Sequence, residues 1–509
     1  MTETIHQPLI IRADGSAQIG TGHVMRCLAL AQAWQDTGGH VIFLMAMESP
    51  PLEARLRSEG MEVVHLPVQP GSTDDAIQTA ALARQVGAGW VVVDGYHFDA
   101  GYQRAIKDQG LLLLFVDDIG HAEHYYADLV LNQNIHAHEG LYQSREPYTR
   151  LLLGTRYVLL RREFLKWRGW KREIPEVARR VLVTMGGSDP DNVTFKVIRA
   201  LQQVDVDGLE AIVVVGGSNP HYEELQSAVQ NSSFPIQLES NVTDMPELMA
   251  WADAAVSSGG STSWELAFLG LPSVVIVLAQ SQQPVAERLH EAKIALSLGW
   301  HVNLSCDDIG KAITRLLKEK EIRTGMARRG RELVDGDGVT RVLMHLRGER
   351  LRLRLVREED CKKIWEWAND PDVRAVSFLS EPVPWEEHLK WFRSKLNNND
   401  CLFLVCLESE DLPIGQVRFD IMREEKEAVI SVSVDRNYRG KGYGSAMIRL
   451  ASQMLFGLSG VNTIHAYIKQ NNEPSIRAFM KAGYRKSGVT MIKGHQAVHL
   501  ILERQGGSK

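Results

Sequence analysis

The sequence predicts an α/β chain in which two successive parallel-sheet domains precede a smaller α+β domain. Three observations carry this prediction. Apolar strand-like runs alternate with helix-like stretches from Leu9 to about residue 150. A second such series opens near Arg180. The character then changes at Leu351, where LRLRLV alternates apolar and basic residues as a half-buried strand does. At 509 residues the chain is too long for one core and fits roughly three domains of ordinary size.

In the first series the strands read Leu9–Ala13, His40–Ala46, Met61–Leu66, Trp90–Asp94 and Leu111–Val116. The helix Val24–Thr37 carries Val24, Cys27, Leu28 and Ala31 on one face and stops at Gly38–Gly39. In the second series the strands read Val181–Met185, Ala211–Val215, Ala254–Ser257 and Ser273–Val277, and helix-like sequence from Asp307 to about Arg347 closes it. A βαβ rhythm of this kind gives a Rossmann-like domain, a parallel sheet with helices on both faces that binds ligands at its strand C-termini. The expected boundaries are 1–155, 156–347 and 348–509.

Composition narrows the function. Hydrophobic content of 44% and charged content of 24% describe a globular chain. A net charge of −6 disfavours a nucleic-acid partner or an acidic membrane surface. The N-terminal residues lack the pattern of a secretory signal, and no apolar run approaches the ~20 residues that span a bilayer. The five cysteines form no CxxC pair, so a reduced, cytoplasmic setting is expected. No HExxH motif or Cys/His cluster points to a metal. Composition sets no oligomeric state.

Residues Ile11–Trp34, IRADGSAQIGTGHVMRCLALAQAW, run from a strand through a glycine-punctuated loop to a helix that starts beside His23. Free N–H groups at a helix start suit an anion, and a histidine suits proton exchange near neutral pH. Two further loops compete for the anion. Gly186–Gly187–Ser188 follows the strand VLVTM, and Ser258–Gly259–Gly260–Ser261–Thr262 follows the strand ending at Ser257, with Glu265 one turn into the next helix. Backbone amides of such loops cradle a diphosphate, and a carboxylate at Glu265 accepts from a ribose diol. The diphosphate is therefore expected at these two loops. The N-terminal segment, with Arg12, Asp14, Gly20, Gly22, Asp94 and Tyr96, is expected at the rest of the substrate, and His23 at the proton transfer. His97, His121 and His124 are weaker candidates for the base.

SSGGSTSWELAFLGLP resembles the nucleotide-sugar-binding region of GT-B proteins, a glycosyltransferase of peptidoglycan synthesis among them. Taken with RADGSAQIGTGHVMRCLALA, VVVDGYHFD and GGSDPDN, residues 8–345 resemble the UDP-2,4-diacetamido-2,4,6-trideoxy-β-L-altropyranose hydrolase family of pseudaminic acid biosynthesis. That resemblance implies two Rossmann-like domains in a GT-B arrangement. It implies attack of water on the anomeric carbon of a UDP-sugar, with inversion and loss of UDP. The motif histidine falls at His23, which would activate the water, and no metal is required.

In the third domain, VISVSVDRNYRGKGYGS leads from a strand through Arg439–Gly440–Lys441–Gly442–Tyr443–Gly444 to a helix opening near Ser445. IKQNNEPSIRAFMKAGY follows, with Asn472, Ser475, Gly483 and Tyr484. Over residues 351–504 these segments resemble GNAT acetyltransferases. The resemblance implies acetyl-CoA as co-substrate, with its pyrophosphate on the 439–444 loop, its pantetheine between splayed strands beside Val432 and Val434, and direct attack by an amine. Phe479 stands where many members carry the tyrosine that protonates the leaving thiolate. Tyr443, Tyr467, Tyr484 or a water then takes that role, and the base lies open among His388, Glu427 and Ser431. WEWANDPDVR, with Ser377 and His388–Phe392, resembles members that modify sugar amines, including the one acting before the hydrolase.

The expected protein is thus a bifunctional UDP-sugar enzyme that acetylates a 4-amino group and hydrolyses the product. A GT-B glycosyltransferase, a nucleotide-sugar-binding regulator, and a GNAT domain acting on protein N-termini, polyamines or a legionaminic-type sugar stay open. Altro and gluco stereochemistry are not separated by any residue.

Overall fold

The computed structural model describes residues 7–16, 19–187, 189–217, 219–240, 242–348, 351–408 and 411–504. The chain divides into two compact units, residues 1–347 and 348–509.

The first unit holds two parallel sheets. One contains β1 (Leu9–Ala13), β2 (Val41–Met45), β3 (Glu62–His65), β4 (Trp90–Asp94), β5 (Leu112–Val116), β6 (Leu129–Asn132) and β7 (Arg150–Leu153), in the order β3-β2-β1-β4-β5-β6-β7. The other contains β8 (Arg180–Thr184), β9 (Glu210–Val215), β10 (Ile236–Ser240), β11 (Ala254–Ser258), β12 (Ser273–Val277) and β13 (Ala295–Trp300), in the order β10-β9-β8-β11-β12-β13. Strands β1, β2 and β4 are buried along their whole length because helices cover both faces, which explains their unbroken apolar runs. Strand order reverses between β1 and β4 in the first sheet and between β8 and β11 in the second. At such a switch point the flanking loops part and leave a crevice at the strand C-termini.

The helix after β1 spans Gly22–Gln35, two residues earlier at each end than the periodicity predicts. It is also not amphipathic. Ala29 and Leu30 are as buried as Val24, Cys27, Leu28 and Ala31. The outer face is covered by the helix Gly338–Leu346, whose Val339, Val342, Leu343 and Leu346 join the same core, and the Trp90 indole donates to the Leu346 carbonyl at 2.7 Å. The end of the second series therefore returns to the first sheet.

The second unit is a seven-stranded sheet of β14 (Leu351–Leu355), β15 (Cys401–Glu408), β16 (Pro413–Met422), β17 (Glu427–Val434), β18 (Thr463–Lys469), β19 (Arg485–Ile492) and β20 (His495–Glu503), in the order β14-β15-β16-β17-β18-β20-β19. All neighbours are antiparallel except β17 and β18, which are parallel. These two pair only at Glu427–Thr463, Ala428–Ile464 and Val429–His465. Beyond Val429 they diverge and leave a wedge. Leu404 and Cys406 of β15 face the core shared with the helix Tyr443–Leu458. Phe403, Val405 and Leu407 face the opposite core, under Cys361–Ala368 and Trp385–Leu396.

Candidate active sites

A cleft of about 1180 Å³ in the first unit is lined by residues that follow the switch-point strands of both sheets. The loop after β1 contributes Gly20, the helix that follows it contributes Gly22 and His23, and the loop after β4 contributes Tyr96. Across from them stand Gly186 and Gly187 after β8, and Ser258, Gly259, Gly260, Ser261, Thr262 and Glu265 at and after the end of β11. The two walls come close. A Cβ on Gly187 would lie 2.8 Å from the Thr21 hydroxyl, so only glycine fits without displacing the opposite wall. Ser188 lies outside the described residues.

His23 sits in the first turn of its helix. Its Nδ1 is 2.7 Å from Asp94 Oδ1, and its ring meets Tyr96 edge-on at 5.0 Å. Arg26, one turn further along, donates to both Asp94 oxygens at 2.6 and 2.7 Å and to Asp118 Oδ1 at 2.7 Å. Asp118 also accepts from the Tyr96 hydroxyl at 2.8 Å and from the Asn134 amide at 2.6 Å. Burial opposes charge on both carboxyls, yet Arg26 and His23 outweigh it and hold each below the usual carboxylate range. Burial and the Asp118 charge push the Tyr96 hydroxyl well up, so it stays a donor. A carboxylate that takes the Nδ1 proton fixes the ring and its tautomer and leaves Nε2 with its lone pair.

Three residues expected at the substrate lie behind the cleft instead. Asp94 is 0% exposed and touches His23, Arg26 and Cys27. Arg12 is 0% exposed, paired with Asp14 at 2.7 Å and Asp75 at 2.8 Å, with Phe98 under its guanidinium. The backbone amides of Ala46 and Met47 donate to Asp14 Oδ1. Burial works against the charge on Asp14, but His97, Arg12 and those amides bring its pKa down to about 2. Their places at or beside the strand ends suggested substrate contact, but all three side chains turn to buried partners. Glu265 does line the cleft, but Arg161 donates to it at 2.9 Å.

Among the other histidines, His121 has both ring nitrogens occupied, by Asp117 at 3.2 Å and the Phe98 carbonyl at 2.9 Å. His124 is engaged by Ser144 and Glu146. His97 lines the cleft with Nε2 turned toward Asp14, 3.5 Å away. Sequence reasoning missed Arg26, Asp118, Asn134 and Arg161. Only Arg26 carried a signal, since a residue three after His23 shares its helix face.

In the second unit Gly440 and Gly442 have φ of +74° and +86°, conformations L side chains rarely adopt, and a Cβ on either would meet only open space. The loop thus presents bare backbone just before the sixteen-residue helix Tyr443–Leu458. Gly444 lies against Val434, while Val432 and Val434 pack on the helix-side core. Lys441 lies over the Tyr438 ring. Ser445 caps Gly442 through its hydroxyl. Arg439 is not available to a phosphate. Its guanidinium donates to the Val434 carbonyl at 2.9 Å and to Asp370 and Asp372 at 3.1 and 3.0 Å. Asn472 accepts from the Ser475 amide and caps the helix Glu473–Lys481. Tyr484 is buried against Phe479 with its hydroxyl on Ser452 at 2.9 Å, and burial pushes that hydroxyl up. His388 donates from Nε2 to the Cys361 carbonyl and is only 2% exposed, so its ring is closed off from a substrate.

Among the described residues no group of three or more His, Cys, Asp or Glu could hold a metal ion, and no helix is long and apolar enough to cross a membrane.

The two units define an α/β fold of two parallel sheets followed by an acetyltransferase fold, and comparison with known proteins agrees. Residues 181–336 match the glycosyltransferase family 28 C-terminal domain, and residues 350–485 match the acetyltransferase (GNAT) domain. An N-acetyltransferase of Bacillus subtilis is 30% identical over 146 residues, covering 28% of this chain and 85% of that one. The second unit of this chain belongs to the GNAT acetyltransferase family. The first is similar to the UDP-2,4-diacetamido-2,4,6-trideoxy-β-L-altropyranose hydrolase of Campylobacter jejuni, 24% identical over 280 residues, covering 55% of this chain and 94% of that protein. An uncharacterised protein of Methanocaldococcus jannaschii is 24% identical over 503 residues, covering 94% of this chain and 97% of its own length, so its similarity extends over both units.

Proposed function

We propose that the chain is a bifunctional nucleotide-sugar enzyme of the pseudaminic acid type. The first unit hydrolyses UDP-2,4-diacetamido-2,4,6-trideoxy-β-L-altropyranose to UDP and the free sugar. The second acetylates the 4-amino group of the precursor UDP-sugar from acetyl-CoA. The observation that carries the hydrolase reading is the His23–Asp94 pair at 2.7 Å, set in a cleft whose opposite wall is made of glycine- and hydroxyl-bearing strand ends.

With Nδ1–H held by Asp94, His23 Nε2 takes a proton from water as its oxygen bonds to the anomeric carbon. The bond from that carbon to the phosphate oxygen breaks on the opposite side, UDP leaves with the electron pair, and the anomeric centre inverts. The amides of Gly186, Gly187 and Ser258–Thr262 stabilise the departing diphosphate. Arg26 offsets one of the two charges of Asp94 and Asp118, so the wall carries one net negative charge while His23 is neutral and becomes neutral as His23 gains its proton.

In the second unit the amides of the 440–444 loop hold the acetyl-CoA pyrophosphate, a role that falls to backbone because Arg439 is tied elsewhere. The pantetheine lies in the wedge between β17 and β18. The similarity to the hydrolase over the first unit and the GNAT family of the second support this pairing of reactions.

The test is UDP release from the diacetamido UDP-sugar, with the free sugar identified by NMR. His23→Ala should lower release by about 10²–10⁴-fold and leave acetyl-CoA consumption unchanged. Retained release in that variant overturns the assignment, and UDP release only when a sugar acceptor is added would make the unit a glycosyltransferase.

A further inference from the structure

A nucleotide-sugar acceptor brings a diphosphate to the wedge between β17 and β18, and the second unit holds a cation there that has no carboxylate partner among the described residues. Residues 370–382 form a strap. Asn369 closes its base: the side-chain amide donates to the Val383 carbonyl at 3.0 Å, and its oxygen accepts from the Val383 amide at 2.7 Å. On one side the strap is fixed to the end of β17. The Trp367 indole donates to Asp435 at 2.9 Å, and Asp370 pairs with Arg436 at 3.2 Å and with Arg439 at 3.1 Å. On the other side the Phe378 ring meets that of His495, the first residue of β20, at 6.5 Å. The start of β20 lies beside the end of β18, where Ala497 pairs with Lys469. The strap therefore crosses the wide end of the wedge, from the β17 side to the β18 side. Trp367 belongs to the core opposite the helix Tyr443–Leu458, so the strap starts from the sheet face that this helix does not cover.

Arg374 lies on this strap. Its Nη1 donates to the carbonyls of Leu379 and Glu381 at 3.2 and 3.3 Å, which fixes the guanidinium to the strap itself. Nε is buried without a hydrogen-bond partner, and Nη2 makes no hydrogen bond among the described residues. The carboxylates nearest in sequence, Asp370 and Asp372, are both taken by Arg439. Burial, with no carboxylate acting against it, holds the Arg374 pKa below the usual arginine value. An arginine nevertheless keeps its charge, and a partly buried charge without a counter-charge is costly until one is supplied.

We infer that Arg374 binds the diphosphate of the acceptor and so selects a nucleotide-linked amine over a free one. This rests on the acetyltransferase reading above. Acetyl-CoA also carries phosphates, but its pyrophosphate has a seat on the bare amides of the 440–444 loop. Beside that loop the strap presents the carboxylates of Asp370 and Asp372 on Arg439, which repel a phosphate, and it carries its cation further along, toward β20. The two ends of the wedge are thus divided between the two phosphate-bearing molecules, and the acceptor's amine is delivered from the strap side.

The full chain is assayed for acetyl transfer with acetyl-CoA and the 4-amino UDP-sugar. Arg374→Gln should raise KM for the UDP-sugar by about 10–100-fold and leave KM for acetyl-CoA within about threefold. Arg374→Lys keeps the charge and loses the fork, so its KM should fall between wild type and Arg374→Gln. A UDP-sugar KM within about threefold of wild type for Arg374→Gln overturns the inference. So does a rise confined to acetyl-CoA, which would give the cation to the coenzyme, and so does an equal loss in the Lys and Gln variants, which would reduce Arg374 to a brace of the strap. A second measurement needs no acetyl transfer. UDP titrated into the wild-type chain by calorimetry should fill two sites, one in the cleft of the first unit and one at the strap, and Arg374→Gln should fill only the first. A single site in wild type overturns the inference. Two sites in wild type and one in Arg374→Gln, with no acetyl group passed to this sugar, uphold the anchor, and it is then the assigned amine that fails.

Discussion

The two sheets of the first unit share a topology and differ in what they place at their switch points. The strands β1, β4 and β5 are followed or ended by ionisable groups: His23, Arg26, Asp94 and Asp118. The strands β8 and β11 are followed or ended by glycines and hydroxyls, with Glu265 already paired to Arg161. Buried charges are tolerated only when their partners are in place, and the first wall meets that condition with contacts of 2.6–2.7 Å from Arg26 to its two carboxylates. Backbone amides carry no such requirement and do not titrate. The same fold is thus equipped for proton movement on one wall and for holding an anion on the other. Substitutions on the first wall should change kcat, and substitutions on the second should change KM.

The largest effect that would break this division is at Asp94. Asp94→Asn replaces an acceptor by an amide that can donate to His23 Nδ1, which turns the lone pair of the ring away from the water. UDP release should fall by about 10²–10³-fold in kcat with KM unchanged, and the Arg26–Asp118 pair should keep the fold. A rise in KM with kcat intact would mean that this wall binds and does not react. Next is a comparison across units. Gly442→Glu puts bulk and negative charge on a position with φ of +86°, so acetyl-CoA affinity by calorimetry should drop by at least about 10²-fold while UDP release stays at the wild-type rate. Loss of both activities would refute separate sites.

Much of this was legible in the sequence, and the failures are specific. The strands β1, β4, β8 and β11 could be read because burial on both faces leaves unbroken apolar runs. β6 and β7 were not read, since LVLN and RLLL are four residues long and carry no period. The helix Gly22–Gln35 was read as amphipathic because the sequence cannot reveal that Gly338–Leu346 returns to cover its outer face. In the site, His23 stood out as a titratable group after a glycine loop. Asp118 and Asn134 did not, because Asp118 meets Arg26, and Asn134 meets Asp118, only through the pairing of β4, β5 and β6. Arg12 and Asp14 misled for a related reason: their place at the end of β1 points to the cleft, but the next strand and Asp75 take them. In the second unit, Arg439 looked like a phosphate ligand until Asp370 and Asp372, some seventy residues earlier, proved to hold it.

The Arg12 cluster behind the cleft gives the next test. If Arg12–Asp14–Asp75 is a buried layer with no part in the reaction, Asp14→Asn should cost stability and leave kcat within a few-fold. Its pKa falls from an ordinary 3.8 to about 2 on folding, a difference on the order of 2–3 kcal/mol. Because the folded value is the lower one, that stability is present above about pH 4 and is lost as pH falls toward 2. Denaturation curves of wild type and variant should therefore be separated at pH 7 and converge near pH 2. A separation that persists unchanged at pH 2 would place the effect in packing and not in charge.

The smallest effect should come from the second wall. Thr262 lines the cleft, and its hydroxyl has no hydrogen-bond partner among the described residues, so Thr262→Ala removes nothing from the resting protein. What it removes is one neutral hydrogen bond to the bound nucleotide, worth about 1 kcal/mol, or roughly fivefold in affinity. KM for the UDP-sugar and the inhibition constant for UDP should rise together by that factor, with kcat and the melting temperature unmoved. A hydroxyl that instead met charge appearing on the leaving diphosphate would lower kcat and leave UDP affinity alone, and the second wall would then share in the chemistry that the first wall is built for.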